Sequence, residues 1–284
     1  MTDLTIVQLS DLHFGRDADL DQVRALESLI PTLGADAAVF AGDLTQRARH
    51  GEFQRALALV EHVQRSTPTL VIPGNHDVQW WRAVLPIGRA RVRWEKYRRY
   101  FGEALAPVLD VPGAVISGAL TSYGLSWGSL TWNLRDLTVK GHLPRRETQR
   151  LTKLFADAPP EAVRVAVLHH NVLPGAISRR MGMAHWRSAQ RRLLATGADV
   201  VLCAHDHQEG AGQVDGVLPV STSSTHTGRT RGRRPSAFNL VHVDDQAVHI
   251  QHWRWESGRR EFIPSDINVY ARRRRAPDPV PVSA

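Results

Sequence analysis

Short apolar runs recur along the chain, at residues 4–9, 37–41, 69–72, 163–168 and 199–204. Each is four to six residues long, too short for a core helix, so each reads as a buried strand. The segments between several of them carry a different period. Residues 20–33 place Val23, Leu26 and Ile30 at three- and four-residue spacing, and residues 53–63 do the same with Phe53, Leu57 and Val60. That spacing predicts amphipathic helices. Strand–helix–strand alternation predicts a layered α/β architecture. From residue 211 onward the helical period disappears. "VLPVSTSST", "SAFNLVHV" and "AVHIQHWRW" read as consecutive strands with turns at "DDQ" and "SGR", which predicts a second, more antiparallel sheet late in the same domain.

Residues 79–145 are less regular and hold Trp80, Trp81, Trp94, Trp127 and Trp132. "RARVRWEKYRRYFG" predicts a helix with Trp94, Tyr97 and Phe101 on one face. These aromatics either pack a core or make 79–145 a cap-like region beside a site. The expected organisation is a single domain over 1–265 and a flexible Arg- and Pro-rich tail over 266–284.

Length and composition narrow the class. The chain has 284 residues, 42% hydrophobic and 23% charged, enough for one sizeable core. The N-terminus has neither a basic region nor a long apolar stretch, so no signal peptide is visible. No run reaches the roughly 18 apolar residues of a membrane helix, and no membrane partner is expected. The single cysteine, Cys203, excludes an internal disulfide, and a cytoplasmic location is expected. A net charge of +8 raises nucleic acid as a partner. Residues 271–284 account for part of it with four Arg and one Asp, and 33 of the 36 basic residues are arginine.

The chemistry lies where the strands stop. The first run leads to Asp11 and His13, the second to Gly42-Asp43, and the third to Gly74-Asn75-His76-Asp77. The fourth leads to His169-His170-Asn171 and the fifth to His205-Asp206-His207. In open α/β sheets, ligands bind at the C-terminal ends of the strands. Five strands ending in carboxylate, imidazole and amide side chains therefore predict one convergent site. The other histidines, among them His50, His62, His142, His185 and His226, have no such company and read as structural or surface groups.

Taken in order, Asp11-x-His13, Gly42-Asp43, Gly74-Asn75-His76-Asp77, His169 and His205-x-His207 resemble the motifs of the calcineurin-like metallophosphoesterases. Ala204 stands where the family usually has glycine. "GDLTQRAR" and "STSSTHTGRTRGRRPSAFNLV" further resemble the bacterial branch that includes class III cyclic-nucleotide phosphodiesterases. The resemblance implies an α/β fold of two packed mixed β-sheets flanked by helices, an αββα sandwich. It also implies two divalent metal ions. One would take Asp11, His13, Asp43 and His207; the other would take Asp43, Asn75, His169 and His205, with Asp43 bridging. Mixed imidazole and oxygen donors suit manganese or iron, with zinc or cobalt as further choices. His76 would face the leaving oxygen as general acid or hydrogen-bond donor. Asp77 would orient it or cap a helix. Arg47 and His170 are candidate substrate contacts, and His170 is also the alternative to His169 as ligand.

The implied activity is hydrolysis of a phosphoester by a metal-bridging hydroxide, with a small phosphodiester such as a cyclic nucleotide as the favoured substrate. Two divalent ions, two aspartates and one hydroxide sum to about +1, a charge suited to binding phosphate. Three alternatives stay open at this point: a nuclease gripping DNA or RNA through 229–234 and the tail, a lipid-linked pyrophosphate hydrolase served by the Trp-rich region, and an inactive scaffold. All seven ligand positions and His76 are present, which weighs against the last. The oligomeric state is not legible.

Overall fold

The structure, a computed structural model, describes residues 3–16, 18–79, 90–124, 140–225 and 234–273. Side-chain alternation builds its layers. In β1 (Leu4–Leu9), Leu4 and Ile6 enter one core while Val7 and Leu9 enter another. β2 (Ala37–Ala41) repeats this, with Ala37, Val39 and Ala41 on the inner face and Ala38 and Phe40 on the outer. β6 (Val163–His170) and β7 (Val200–Ala204) present Val163, Val165, Val167, Val200, Leu202 and Ala204 to the same inner core from the opposite side. Two sheets thus pack face to face.

The outer faces are covered by helices. α1 (Leu20–Leu29) and α2 (His50–Gln64) bring Val23, Leu26, Phe53, Leu59 and Val60 against the first sheet. α4 (Arg145–Asp157) and α5 (Trp186–Leu194) bring Leu151, Phe155, Ala189 and Leu193 against the second. Cys203 points outward from β7 into that second helix-covered core, where burial pushes its thiol up to about 11. The result is the two-sheet, helix-flanked α/β sandwich.

The first sheet runs β12-β11-β10-β1-β2-β3 and the second β4-β5-β6-β7-β9-β8, six strands each. Here β3 is Thr69–Ile72, β4 Val108–Val111, β5 Ala114–Gly118, β8 Gly210–Val214 and β9 Leu218–Thr222; β10 is Ala237–Val243, β11 Ala247–Glu256 and β12 Glu261–Ala271. The central strands β1-β2-β3 and β5-β6-β7-β9 are parallel.

Three expectations need correction. The late strands make no sheet of their own: β9 joins β7 in parallel, while β10 pairs antiparallel with β1 and carries β11 and β12 with it. A period of two tells which face a residue takes, not which strand lies alongside. Within residues 79–145, read as either core-packing or cap-like, β5 lies beside β6 as framework. Trp94 ends a 3-10 turn at Ala90–Trp94 and packs with Val78 and Leu120, whereas Tyr97, on α3 (Glu95–Phe101), packs into the core under α2. Trp80, Trp81, Trp127 and Trp132 lie outside the described residues. Residues 266–271, expected to belong to a tail, lie in β12. Arg272 then reaches the Asp199 carboxylate at 3.2 Å, and Arg273 donates to the Leu194 carbonyl at 2.6 Å.

One buried polar link crosses between the sheets. Gln8, facing inward from β1, donates to the carbonyls of Cys203 and Ser221 at 2.8 and 3.2 Å and accepts from Ser221 Oγ at 2.5 Å. An amide without partners there would cost roughly 1–3 kcal/mol.

Candidate metal centre

The parallel strands of both sheets end at one edge, and the loops leaving them interlock. Asp11 N donates to the Gly42 carbonyl, His13 N to that of Asp43 and Phe14 N to that of Leu44, each at 2.9 Å. Asp77 ties the next loop in. Its carboxylate accepts from the amides of Gly74 (2.9 Å), Leu44 (3.1 Å) and Thr45 (2.9 Å), and from the Thr45 hydroxyl (2.8 Å). The residue expected to orient His76 or cap a helix is instead the clamp between the loops after β2 and β3. Burial and the nearby Asp43 charge push its carboxyl up to about 6.

The backbone here is held in an unusual conformation. Asp11, His13, Asp43, His205 and His207 have φ of 50°, 43°, 53°, 79° and 54°. They are half of the ten non-glycine residues with positive φ among the described residues. Each such residue costs of order 1–3 kcal/mol, and the cost concentrates at functional sites.

Seven side chains meet in the space these loops enclose. Asp11 Oδ2 accepts from Ser10 Oγ at 2.8 Å and His205 N at 3.3 Å, and Ser223 donates to Ser10 at 2.7 Å. Asp11 Oδ1 is buried without a hydrogen bond, 4.0 Å from His13 Nε2 and 3.8 Å from His207 Nε2. Asp43 Oδ1 accepts from His76 N at 2.8 Å. Asp43 Oδ2 is likewise buried without one, 3.6 Å from His13 Nε2 and 3.3 Å from His169 Nε2. His13 Nε2 lies 3.0 Å from His207 Nε2. Asn75 Oδ1 lies 3.1 Å from His169 Nε2 and 2.9 Å from His205 Nδ1, and those two nitrogens are 3.3 Å apart. His169 Nδ1–H donates to the Ala41 carbonyl at 2.8 Å, so Nε2 is the nitrogen turned inward.

Lone pairs facing lone pairs at such distances repel unless a proton or a cation lies between them. Donors sharing one ion at about 2.1 Å stand about 3.0 Å apart in an octahedron and about 3.4 Å in a tetrahedron. The separations fall in or just beyond that range, in two groups. Asp11, His13, Asp43 and His207 form one; Asn75, His169 and His205 form the other, with His170 as an eighth side chain against it. The donor set and the two orphaned oxygens fit a pair of divalent cations. Asp43 Oδ1 accepts from His76 N, and Oδ2 alone faces both groups.

His76 is half-buried, its ring 4.6 Å from that of His13. Its Nδ1–H donates to the Gln46 carbonyl at 2.8 Å, which leaves Nε2 to act. Arg47, the next residue along, is exposed; its backbone N donates to Glu52, and its guanidinium makes no contact with the seven. Of the 229–234 segment only Arg234 is described, and it pairs with buried Glu209 at 2.9 Å. His50 bonds Tyr100 and His62 the Glu27 carbonyl, as structural groups do, while His226 lies outside the described residues.

The cluster's charges are strongly coupled. Burial opposes a charge on His169, but Asp43 and Asp11 outweigh it and push the imidazole up to about 9. Burial raises Asp11 to about 7 against the pull of His169. Burial also acts to raise Asp43, yet His169 and His76 hold it well below the carboxylate range. His205 is held well below the usual imidazole value by burial and by His170 and His169. A metal-free site therefore carries a proton on His169 at neutral pH, and a cation must displace it. Metal uptake is expected to release protons and to tighten as pH rises from 7 to 9. The metal-free fold behaves oppositely. The folded value of His169 exceeds its unfolded value of about 6.5, so its stabilisation is full below that value and is lost as pH climbs through about 9. Thermal melts at pH 7 and pH 9, with and without chelator, check both signs; a pH-independent metal affinity would contradict the account.

Among the described residues no helix is long and apolar enough to cross a membrane. The chain belongs to the calcineurin-like phosphoesterase family, whose model matches residues 4–209. It is similar in structure to a dimetal phosphatase from Danio rerio, at 12% identity and TM-score 0.64, covering 96% of this chain and 100% of that one. A purple acid phosphatase from yellow lupin seeds also scores 0.64 at 12% identity; 96% of this chain matches 54% of that longer one. The anchor in the inner membrane complex of Plasmodium scores 0.59 at 11% identity, covering 98% and 91%. At such identities the likeness is one of fold. No curated protein sequence matches the chain.

The residue pattern does not give the roles of the groups that hold these donors in place: Ser10 and Ser223 behind Asp11, Asp77 between the loops, and Thr121 beside His170. Ser10 carries a faint signal as the residue next to a ligand, and Asp77 is visible as an acid beside His76 though not as a clamp; Ser223 and Thr121 carry none.

Proposed function

We propose that the protein hydrolyses phosphoesters at a binuclear metal centre, as a phosphodiesterase acting on a small substrate such as a cyclic nucleotide. The observation that carries the reading is Asp43 Oδ2, buried, without a hydrogen bond and facing His13 and His169 at once. Asp11, His13, Asp43 and His207 would hold one cation, and Asp43, Asn75, His169 and His205 the other. Manganese or iron suits this mixture of imidazole and oxygen donors best. Bound there, two such ions lower the pKa of coordinated water and draw in the charge of phosphoryl oxygens.

The chain's own residues supply the rest. His76 stands beside the first group with Nδ1 fixed by Gln46, so Nε2 is the nitrogen that would face the departing ester oxygen. Asn75 adds an oxygen donor without adding negative charge, which keeps the centre attractive to an anion. Arg47, exposed next to Gln46, would meet a phosphate oxygen from solvent. The preference for a diester over a monoester rests on the likeness of "GDLTQRAR" and the 221–241 segment to the cyclic-nucleotide branch.

One substrate panel tests the reading. Protein loaded with manganese is offered bis-p-nitrophenyl phosphate, p-nitrophenyl phosphate, cyclic AMP, cyclic dinucleotides and single-stranded DNA. Turnover of the bis ester and a cyclic nucleotide is expected. Faster cleavage of DNA would make the protein a nuclease, and no turnover of any phosphoester by fully metallated protein would make it a scaffold.

A further inference from the structure

His170 takes no part in the ligand sets above. On a regular strand it would point away from His169, because successive side chains alternate faces. The pairing of β6 with β7 slips between Val167 and His170, and such an irregularity re-aims side chains. Both imidazoles consequently approach His205, with ring centroids 5.2 Å away for His169 and 4.5 Å for His170. One ring nitrogen from each of the three lies within 4.8 Å of the other two. Two donors on opposite sides of one ion stand about 4.2 Å apart, so a shift of well under about 1 Å brings all three onto a single cation.

The ring is also pinned. His170 is 1% exposed. Thr121 Oγ1 lies 2.8 Å from Nδ1. Gly141 packs on the same edge, where a methyl group would overlap Cγ and Nδ1. Substrate contact from solvent does not require such burial; a metal ligand does benefit from it, since a fixed orientation removes the entropy of ordering the ring.

We propose that His170 is a third imidazole donor to the cation held by Asn75, His169 and His205. The two metal positions then differ in kind. The first has two carboxylates and two imidazoles, a set that accepts manganese or magnesium. The second has three imidazoles, one amide and a shared carboxylate oxygen, a set that selects a borderline ion such as zinc, ferrous iron or cobalt. This inference rests on the binuclear reading, and its test separates the two.

Metal-free protein is titrated with cobalt(II), following both heat and the visible d–d absorption, in the parent, His170→Ala and Thr121→Val. The parent is expected to bind two equivalents. His170→Ala is expected to weaken one of them at least about tenfold and to change its absorption band, leaving the other as in the parent. Thr121→Val, which keeps the imidazole but frees it, should weaken the same equivalent by a smaller factor. If His170→Ala does not fold by circular dichroism, Thr121→Val decides, and an unchanged affinity there overturns the inference. Two equivalents with parental affinity and spectrum in His170→Ala, with only kcat/KM reduced, make His170 a substrate contact and overturn it as well, leaving the binuclear reading intact. A parent that binds no cobalt overturns both.

Discussion

Replacing Gly74 by alanine is expected to strip the centre of metal and to lower kcat/KM by at least about 100-fold. A Cβ at this position would overlap the amide nitrogen and Oδ1 of Asp43. Neither can yield cheaply. Asp43 Oδ1 is fixed by His76 N, and Asp43's own backbone holds the loop after β1 through His13 N. Gly42 is squeezed from the other side: a Cβ on it would stand 2.6 Å from Gly74 N and 2.7 Å from His169 Nδ1, at a φ of +86°. Three chain segments thus touch at glycine because only glycine fits. Alanine at 74 forces the loops after β2 and β3 apart, which pulls on the Asp77 clamp and separates Asp43 from Asn75. Overpacking of this kind costs about 1–3 kcal/mol, or a fall in Tm of roughly 2–12 °C for a domain this size. Gly51→Ala is the matched control: it lies in α2 with nothing within 4 Å of its Cβ and should be neutral or slightly stabilising. Elemental analysis and calorimetry on the two variants check the contrast, and full metal content in Gly74→Ala would refute it.

The fold class and the polar strand ends were legible in the sequence and the neighbour relations of the late strands were not, for a physical reason. The strands that carry the donors are central, parallel and buried, so they appear as unbroken apolar runs whose ends are easy to find. The segment after each end is short and polar, and its residue types name the chemistry. Neighbour relations leave no such trace. β10 and β11 alternate as any half-buried strand does, and nothing in "SAFNLVHV" says that it pairs with β1 instead of starting a new sheet. β4 and β5 were obscured by the Trp-rich stretch around them. Asp77 is visible as an acid beside His76, but its partners are backbone amides, which every residue has. The left-handed backbone at Asp11, His13, Asp43, His205 and His207 is equally silent, because it falls on residues chosen for their side chains and not on glycine. His170 shows the limit most clearly: strict alternation separates it from His169, and only the slip in β6 brings the two rings to one place.

Asp43→Asn is expected to lose both cations while keeping the fold, with kcat/KM reduced by about 1,000-fold or more. The change is nearly isosteric, so its effect depends on which atom goes where. His76 N donates to Oδ1 at 2.8 Å, and a donor there requires the amide oxygen of the asparagine to occupy that position. The NH2 group must then take the place of Oδ2, 3.6 Å from His13 Nε2 and 3.3 Å from His169 Nε2. A lone pair shared between two ligand groups becomes a pair of N–H donors aimed at both, and the imidazoles accept hydrogen bonds where they would otherwise hold metal. The charge balance shifts as well. Asp43 is the chief force holding a proton on His169 against burial, and it raises both Asp11 and Asp77. Removing its charge relieves the repulsion among three buried carboxylates and also removes the attraction to His169 and His76; the two effects oppose each other, so the metal-free variant should unfold within a few degrees of the metal-free parent. Loss of metal with an unchanged metal-free Tm separates the failure of the centre from a failure to fold. Two equivalents of metal bound to Asp43→Asn would show that the cations do not share this oxygen.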